Sequence, residues 1–359
     1  MDDAQSTLDP AVADDEITSN RAIAFDTPAA ADAVREASRE TVAIATPPSR
    51  RFRNLLPRRS AKLVGGLVIV GAIVLFGILG PLIAQPPRDS DNPSLEPPSA
   101  DHWLGTTKLG YDVFAQLAWG AQGSLMIGLV AGTIALVLAV VFGVLAGYFG
   151  GVVDEALSLL TNIMLVIPGL PLVMVIAAYV QRSEGLGDFA RSSVLVAIVL
   201  GITGWAGSAV VLRAQARSLR TREYVAAARV AGERAWRVIL VEILPNLVPL
   251  LAAQFIFGII FAILGEAGLS YLGLGATGSI TWGTVLNDAQ TGQAVGTGAW
   301  WWFVPPGAMI AALGAGLSLI NFAIDEVVNP KLRLAPENAR QVRRAAKAGR
   351  GVTETGVIA

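Results

Sequence analysis

Residues 63–84 read LVGGLVIVGAIVLFGILGPLIA, a run of 22 positions without a single charge. A helix of that length crosses a hydrocarbon core about 30 Å thick. On its N-terminal side stands a basic block, Arg50, Arg51, Arg53, Arg58, Arg59 and Lys62. Basic flanks stay on the cytoplasmic side of a membrane, so this block sets the direction of the first span.

The rest of the chain repeats the pattern. Of its 359 residues, 53% are hydrophobic and only 15% charged, against about 25% charged in an ordinary soluble domain. The charges are gathered into blocks, and long uncharged runs separate them. Gly123–Val153 supplies one span and a turn at Gly150-Gly151, punctuated by Asp154-Glu155. Ala156–Val180 supplies another, with Pro168 and Pro171 expected to kink it. Ser192–Leu212, then Ile243–Gly265 running on toward Tyr271, then the stretch from Trp300-Trp301-Trp302 to Asp325-Glu326 complete six spans. The clustered tryptophans fit an interfacial belt. The Pro-rich stretch 85–118, the short polar stretch 181–191 and the Gly-rich stretch 276–299 read as external loops.

Charge tests this arrangement. With six spans and the N-terminus inside, the inside segments are 50–62, 148–155, 213–242 and 331–359, and three of these four hold nearly all the Lys and Arg. The external segments hold only Arg88, Lys108, Arg182 and Arg191. The expected protein is therefore an all-α, multi-pass membrane protein with both termini cytoplasmic. Its divisions are a disordered acidic tail over 1–49, a basic flank and first span over 50–84, the loop 85–118, a core over 119–330 and a basic tail over 331–359. The tail at 1–49 has too few large apolar residues to bury a core. The first apolar run lies deep in the chain behind that acidic tail, so it is expected to remain as an anchor rather than be cleaved as a signal.

Composition also excludes chemistry. A net charge of -1 gives no bias toward nucleic acid. There is no cysteine and one histidine, His102, so a metal site built on His and Cys is not expected. The phosphate-cradling loop of an ATPase needs Gly-Lys-Ser/Thr. The four lysines, Lys62, Lys108, Lys331 and Lys347, none of which follows a glycine, cannot supply it. No catalytic residue is expected, and ATP with its magnesium, if used, belongs to another polypeptide.

The most informative stretch is 213–246. It carries Arg213, Arg217, Arg220, Arg222, Arg229, Arg234 and Arg237, and it includes TREYVAAARVAG (221–232) and, after Glu242, ILPN (243–246). Ala, Glu and Arg favour helix, and Gly232 allows a turn that other residues resist. The expectation is helix, glycine turn, then a second short helix over Ala235–Glu242, with Leu244-Pro245 re-entering the membrane. On periodicity alone, a solvated surface helix–turn–helix fits equally well.

The stretch resembles the cytoplasmic coupling loop of ABC-importer permeases, in which Glu-Ala-Ala, three residues, Gly, eleven residues and Leu-Pro recur. Ala227-Ala228, Gly232 and Leu244-Pro245 fit at that spacing; Ala226 stands where the pattern has Glu, and Glu223 lies one turn earlier. Four further segments resemble the dipeptide, oligopeptide and nickel permeases, in particular their second, C-type subunit: DHWLGT (101–106) with LGYDV (109–113), AGYFGGVVD (146–154), EAGLSYLGLG (266–275) and SITWG (279–283). Trp103 and Tyr111 depart from the family's usual residues there. The resemblance implies a permease that imports di- or oligopeptides, or alternatively nickel chelates or another small solute; the residues by themselves also leave open a secondary transporter, which the near absence of charge in the spans disfavours, or a membrane scaffold. It implies a second homologous permease, one or two ATPase subunits and an extracytoplasmic binding protein as partners, besides membrane lipid. It also implies that Glu223, Tyr224, Ala227, Ala228, Gly232, Leu244 and Pro245 belong to the ATPase-coupling loop. Glu266 is the only charge between Glu242 and Asp288. It reads either as a pathway or gate residue at membrane depth or as a polar cap at the outer end of its span.

Overall fold

A computed structural model describes residues 60–181, 192–275 and 278–328. The expected acidic tail, the arginines of the first basic block, the loop up to residue 191 and the basic tail after 331 lie outside the described residues. Helix α1, Ala61–Ile83, starts where the Ser60 hydroxyl accepts from Leu63 N–H at 3.1 Å. Leu67, Val68, Leu75, Ile78, Leu82 and Ile83 face outward, while Gly66, Ile73, Gly77 and Gly80 face its neighbours. An apolar outer face suits lipid, and a small inner face lets backbones approach.

Helix α2 runs from Val113 to Phe149, 37 residues, with a π-helical segment at Val140–Val144. It begins six residues before the end of the expected loop 85–118, because the Asp112 carboxylate caps it, accepting from Ala115 N–H at 2.8 Å. The loop before it is ordered by its own polar groups. His102 Nδ1 lies 2.9 Å from Asp112, and Thr106 N–H donates to the Glu96 carbonyl at 2.9 Å. A turn at Gly150-Gly151, both at positive φ, leads to α3, Gly151–Val166.

The expected kinked span is a break. Helices α3 and α4 (Gly169–Gln181) meet at 82°. Ile167 is extended, as residues before proline are, and Pro168 has no N–H to continue the ladder. Pro171 falls in the first turn of α4, where a missing N–H costs nothing, so it causes no second bend. Helix α5, Ser193–Gly204, and α6, Ala206–Arg220, bend by 45° at Trp205. Among the described residues, four helices are long and apolar enough to cross a membrane, and counting each bent pair as one span brings the number up to six. Among the described residues there is no β-strand, only an isolated bridge between Thr106 and Asp112.

Helix α7 is Glu223–Val230, and α8 is Ala235–Tyr271. The second arm of the expected helix–turn–helix therefore does not stop at Glu242 but continues through Pro245 into the span. A π-helical segment, Val238–Ile243, makes this possible. Its wider turn takes up the clash and the lost hydrogen bond that proline brings, and Asn246 Nδ2 donates to the Glu242 carbonyl at 2.6 Å.

The stretch 276–299 is largely helical rather than an open Gly-rich loop: α9 spans Trp282–Thr291 and α10 spans Ala294–Thr297. Thr281 and Thr284 cap α9 reciprocally, and Trp282, Val285 and Ala289 share its buried face. The glycines on either side of this short helical pattern masked it. In α11, Trp300–Val328, the tryptophans do not all form a belt. Trp302 is buried, Trp301 Nε1 donates to the Thr106 carbonyl at 3.1 Å, and only Trp300 is open.

Small residues set the packing. A Cβ added at Gly132 would meet Ile259 Cγ1 of α8 at 2.9 Å, and one at Gly147 would meet the Arg213 carbonyl of α6 at 2.5 Å. Lys62 at the start of α1 pairs with Glu326 near the end of α11.

Candidate functional site

The segment 223–245 gathers at one end of the helices. Val225 is its anchor, fully buried in a cluster with Tyr148 of α2, Leu212 and Ala216 of α6, and Val238, Ile239 and Ile243 of α8. Once Val225 faces inward, helical geometry turns Glu223, Tyr224 and Ala227 outward, and all three are exposed. Ala228 is half-buried against the same cluster. Gly232 sits at φ +79° and is open to solvent; its N–H donates to the Arg229 carbonyl at 3.0 Å, closing the end of α7. Leu244 is half-buried and Pro245 exposed, nearly three turns into α8 at about 3.6 residues per turn.

The exposed apolar surface here is larger than the motif positions suggest. Val230 is 90% exposed, Trp236 58% and Leu240 53%, with Tyr224 at 39%. Tyr224 and Val230 lie on α7, and Trp236 and Leu240 on the first turns of α8, the helix that continues into the span; exposed apolar patches accompany interaction sites. Neither Val230 nor Trp236 stands at a fixed motif position. For Val230 the signal is its helical spacing from Val225 on α7; for Trp236, across the turn at Gly232, it is the spacing from the buried Val238, Ile239 and Ile243 of α8, and both become legible only once those buried residues are known.

Several arginines of the segment have partners inside the chain. Arg213 grips Asp154 of α3 with two bonds, 2.5 and 2.9 Å. Arg229 lies 4.9 Å over the Tyr148 ring, a cation–π contact between α7 and the end of α2. Arg237 is 3.2 Å from Glu233. The first ties α6 to α3, the second ties α7 to the end of α2, and the third is local to the start of α8.

Deeper in the helices, a groove of about 580 Å³ opens where both helix breaks face α8, lined by Gly169, Thr203, Gly207, Ser208, Gln254 and Phe261 among others. It has no charged side chain in its lining. Its one polar crosslink is Ser208 Oγ donating to Gln254 Oε1 at 2.7 Å. Broken helices at membrane depth occur where they line a cavity.

Glu266 is 1% exposed, so it is buried rather than a solvated cap, and it is not in the lining of the groove. It accepts from Ser270 Oγ at 2.5 Å and from Thr281 Oγ1 at 2.6 Å, facing α9 instead of the groove. On the same side as α9, a polar cavity of about 210 Å³ brings together Arg88, Tyr111, Gln116, Asn287 and Asp288. Asp288 as a whole is open to solvent, yet enclosure of its carboxyl raises its pKa, and the Arg88 guanidinium works the other way. His102 is buried between Asp112, 2.9 Å from its Nδ1, and Glu96, 3.8 Å from its Nε2, and among the described residues no group of three or more His, Cys, Asp or Glu is arranged to hold a metal ion.

Residues 139–334, which contain the coupling segment and most of the groove lining, match the model of the binding-protein-dependent transport system inner membrane component. The chain belongs to this family of ABC-importer permeases. Three relatives agree. The dipeptide transport system permease protein DppC of Bacillus subtilis is 31% identical over 274 residues, 75% of this chain and 82% of that one. The oligopeptide transport system permease protein OppC of Mycobacterium tuberculosis is 31% identical over 287 residues, covering 78% and 95%. The probable D,D-dipeptide transport system permease protein DdpC of Escherichia coli is 33% identical over 301 residues, covering 82% and 97%. As an ABC-importer permease with several apolar helices, the chain is a multi-pass inner-membrane protein.

Proposed function

We propose that this permease forms one half of the translocation pathway of an ATP-driven importer of di- or oligopeptides. The observation that carries the reading is the apolar surface of Tyr224, Val230, Trp236 and Leu240, raised on a segment whose core is continuous with α2, α6 and α8. A separate ATPase subunit, or a fused pair, docks there, with ATP and magnesium bound on that partner. Closure of the ATPase pair moves residues 223–245, and α8 carries the movement into the span without an intervening joint. Gly232 sets the angle between α7 and α8, and Glu223, Tyr224, Ala227, Ala228, Leu244 and Pro245 complete the coupling loop.

A second homologous permease completes the pathway, facing the groove between α4, α5, α6 and α8. The names of the three relatives support peptides as the solute, and so does the groove. With no charge in its lining, it holds neither terminus of a zwitterion strongly, which suits passage rather than retention. Both termini of the chain are cytoplasmic in this reading, and an extracytoplasmic binding protein delivers the solute to the side that carries α9 and Asp288. The permease itself hydrolyses nothing.

Purification in mild detergent from the native membrane tests the proposal. An ATPase, a second six-span protein and a peptide-loaded binding protein are expected to accompany the chain. Recovery of the chain alone, with ATP neither bound nor altering the preparation, would refute the importer. Recovery of the same partners with a metal chelate on the binding protein would refute peptides as the solute.

A further inference from the structure

The first turn of α9 is a junction that none of the roles above employs. Thr281 Oγ1 and Ser270 Oγ both donate to Glu266 Oε1, at 2.6 and 2.5 Å. One residue on, Trp282 N–H donates to Ser124 Oγ at 3.0 Å, and its indole N–H donates to the Leu117 carbonyl at 3.1 Å. Gly283 lies so close to α8 that an added Cβ would meet Ala267 Cα at 2.7 Å and Ser270 Cβ at 2.8 Å. The turn is thus fastened to α8 on one side and to α2 on the other. Each of these helices has 37 residues, a rod about 55 Å long at about 1.5 Å per residue. The far ends of the two rods are Tyr148, under Arg229, and Trp236.

We propose that Glu266 is a positioning residue of the transport cycle: it fastens α9 to the rod that begins in the coupling loop, so that displacement of the loop reaches the outer face. This rests on the importer reading. The chemistry asks for an acceptor. Ser270 and Thr281 each present a hydroxyl hydrogen, and one carboxylate oxygen takes both, whereas an aliphatic side chain takes neither. Glu266 Oε2 has no hydrogen-bond partner, so the fastening acts through a single oxygen, and a carboxamide oxygen would serve in its place. What moves with α9 is the chemistry of the polar cavity, since Asn287 and Asp288 stand on it opposite Arg88 and Gln116.

The chain contains no cysteine, so single introduced cysteines report position. The experiment takes the complex of this permease with its ATPase and second permease in lipid nanodiscs. It compares modification of Gln290→Cys, on the exposed side of α9, by a charged maleimide without nucleotide and with ATP plus vanadate. The rate is expected to depend on nucleotide. Glu266→Gln is expected to keep that dependence and Glu266→Ala to lose it. An alanine variant that keeps the full dependence overturns the proposal, as does a glutamine variant that loses it or a Gln290→Cys rate that ignores nucleotide. Should Glu266→Ala fail to assemble, Ser270→Ala removes one of the two donors, and a weakened dependence is expected; an unchanged one overturns the proposal. Val230→Cys in the same complex tests the underlying reading separately. Protection there by the ATPase with no response at position 290 sinks only the link through Glu266; absence of protection sinks the coupling surface itself.

Discussion

Trp236→Ala is the sharpest perturbation of the coupling surface. Trp236 is 58% exposed, so about 145 Å² of a side chain that offers up to about 250 Å² is free to be covered. At about 25 cal/mol per Å², full coverage contributes at most about 3.5 kcal/mol. Half coverage, suited to a residue near the edge of the loop, contributes about 2 kcal/mol and weakens ATPase docking on the order of 30-fold when lost. The side chain projects away from the buried cluster around Val225, so its removal leaves the fold of the permease intact. The assay is titration of purified ATPase onto the permease pair in nanodiscs, read as dissociation constant and as thermal stability of the permease. Trp236→Phe is expected to retain most of the affinity and Trp236→Ala to lose it at unchanged stability. An alanine variant that binds within about twofold of the parent, in a complex that still takes up peptide, would refute the docking geometry.

Two further outcomes follow from the packing. Tyr148→Leu and Arg229→Ala each remove the cation–π contact between α7 and α2, so a thermal-stability double-mutant cycle is expected to show about 1 kcal/mol of coupling; strict additivity would mean the two residues do not act on each other. Gly132→Val places a branched side chain where Ile259 of α8 already stands, an overpacking of about 1–3 kcal/mol or more; a sharp fall in monodisperse protein after detergent extraction is expected, with Gly132→Ala milder, and normal recovery of the valine variant would show that the two rods are not pressed together.

Charge spacing and apolar runs alone establish that this chain lives in a membrane, how many times it is able to cross, and where its one long polar insertion falls. Those features are local. A run such as 63–84 crosses a membrane because of its own length and hydropathy, whatever its neighbours do. The family signature 227–245 is local too, and so is the turn at Gly232, since only glycine takes that backbone conformation without strain. What the sequence leaves open depends on partners distant in the chain. Whether Pro168 kinks or breaks its span depends on what packs in the gap. The continuity of α8 through Pro245 depends on the π turn and on Asn246, and neither shows in periodicity. Glu266 illustrates the limit most clearly: as the lone charge in an apolar stretch it reads as a gate or a cap. That it is buried, with Thr281, fifteen residues away, folded back to meet it, shows only in the assembled helices. Likewise, the apolar surface of the coupling loop becomes visible only after tertiary packing chooses Val225 for the core and leaves Val230 and Trp236 outside. Burial is a property of the assembled helices, and no single segment contains the information that fixes it.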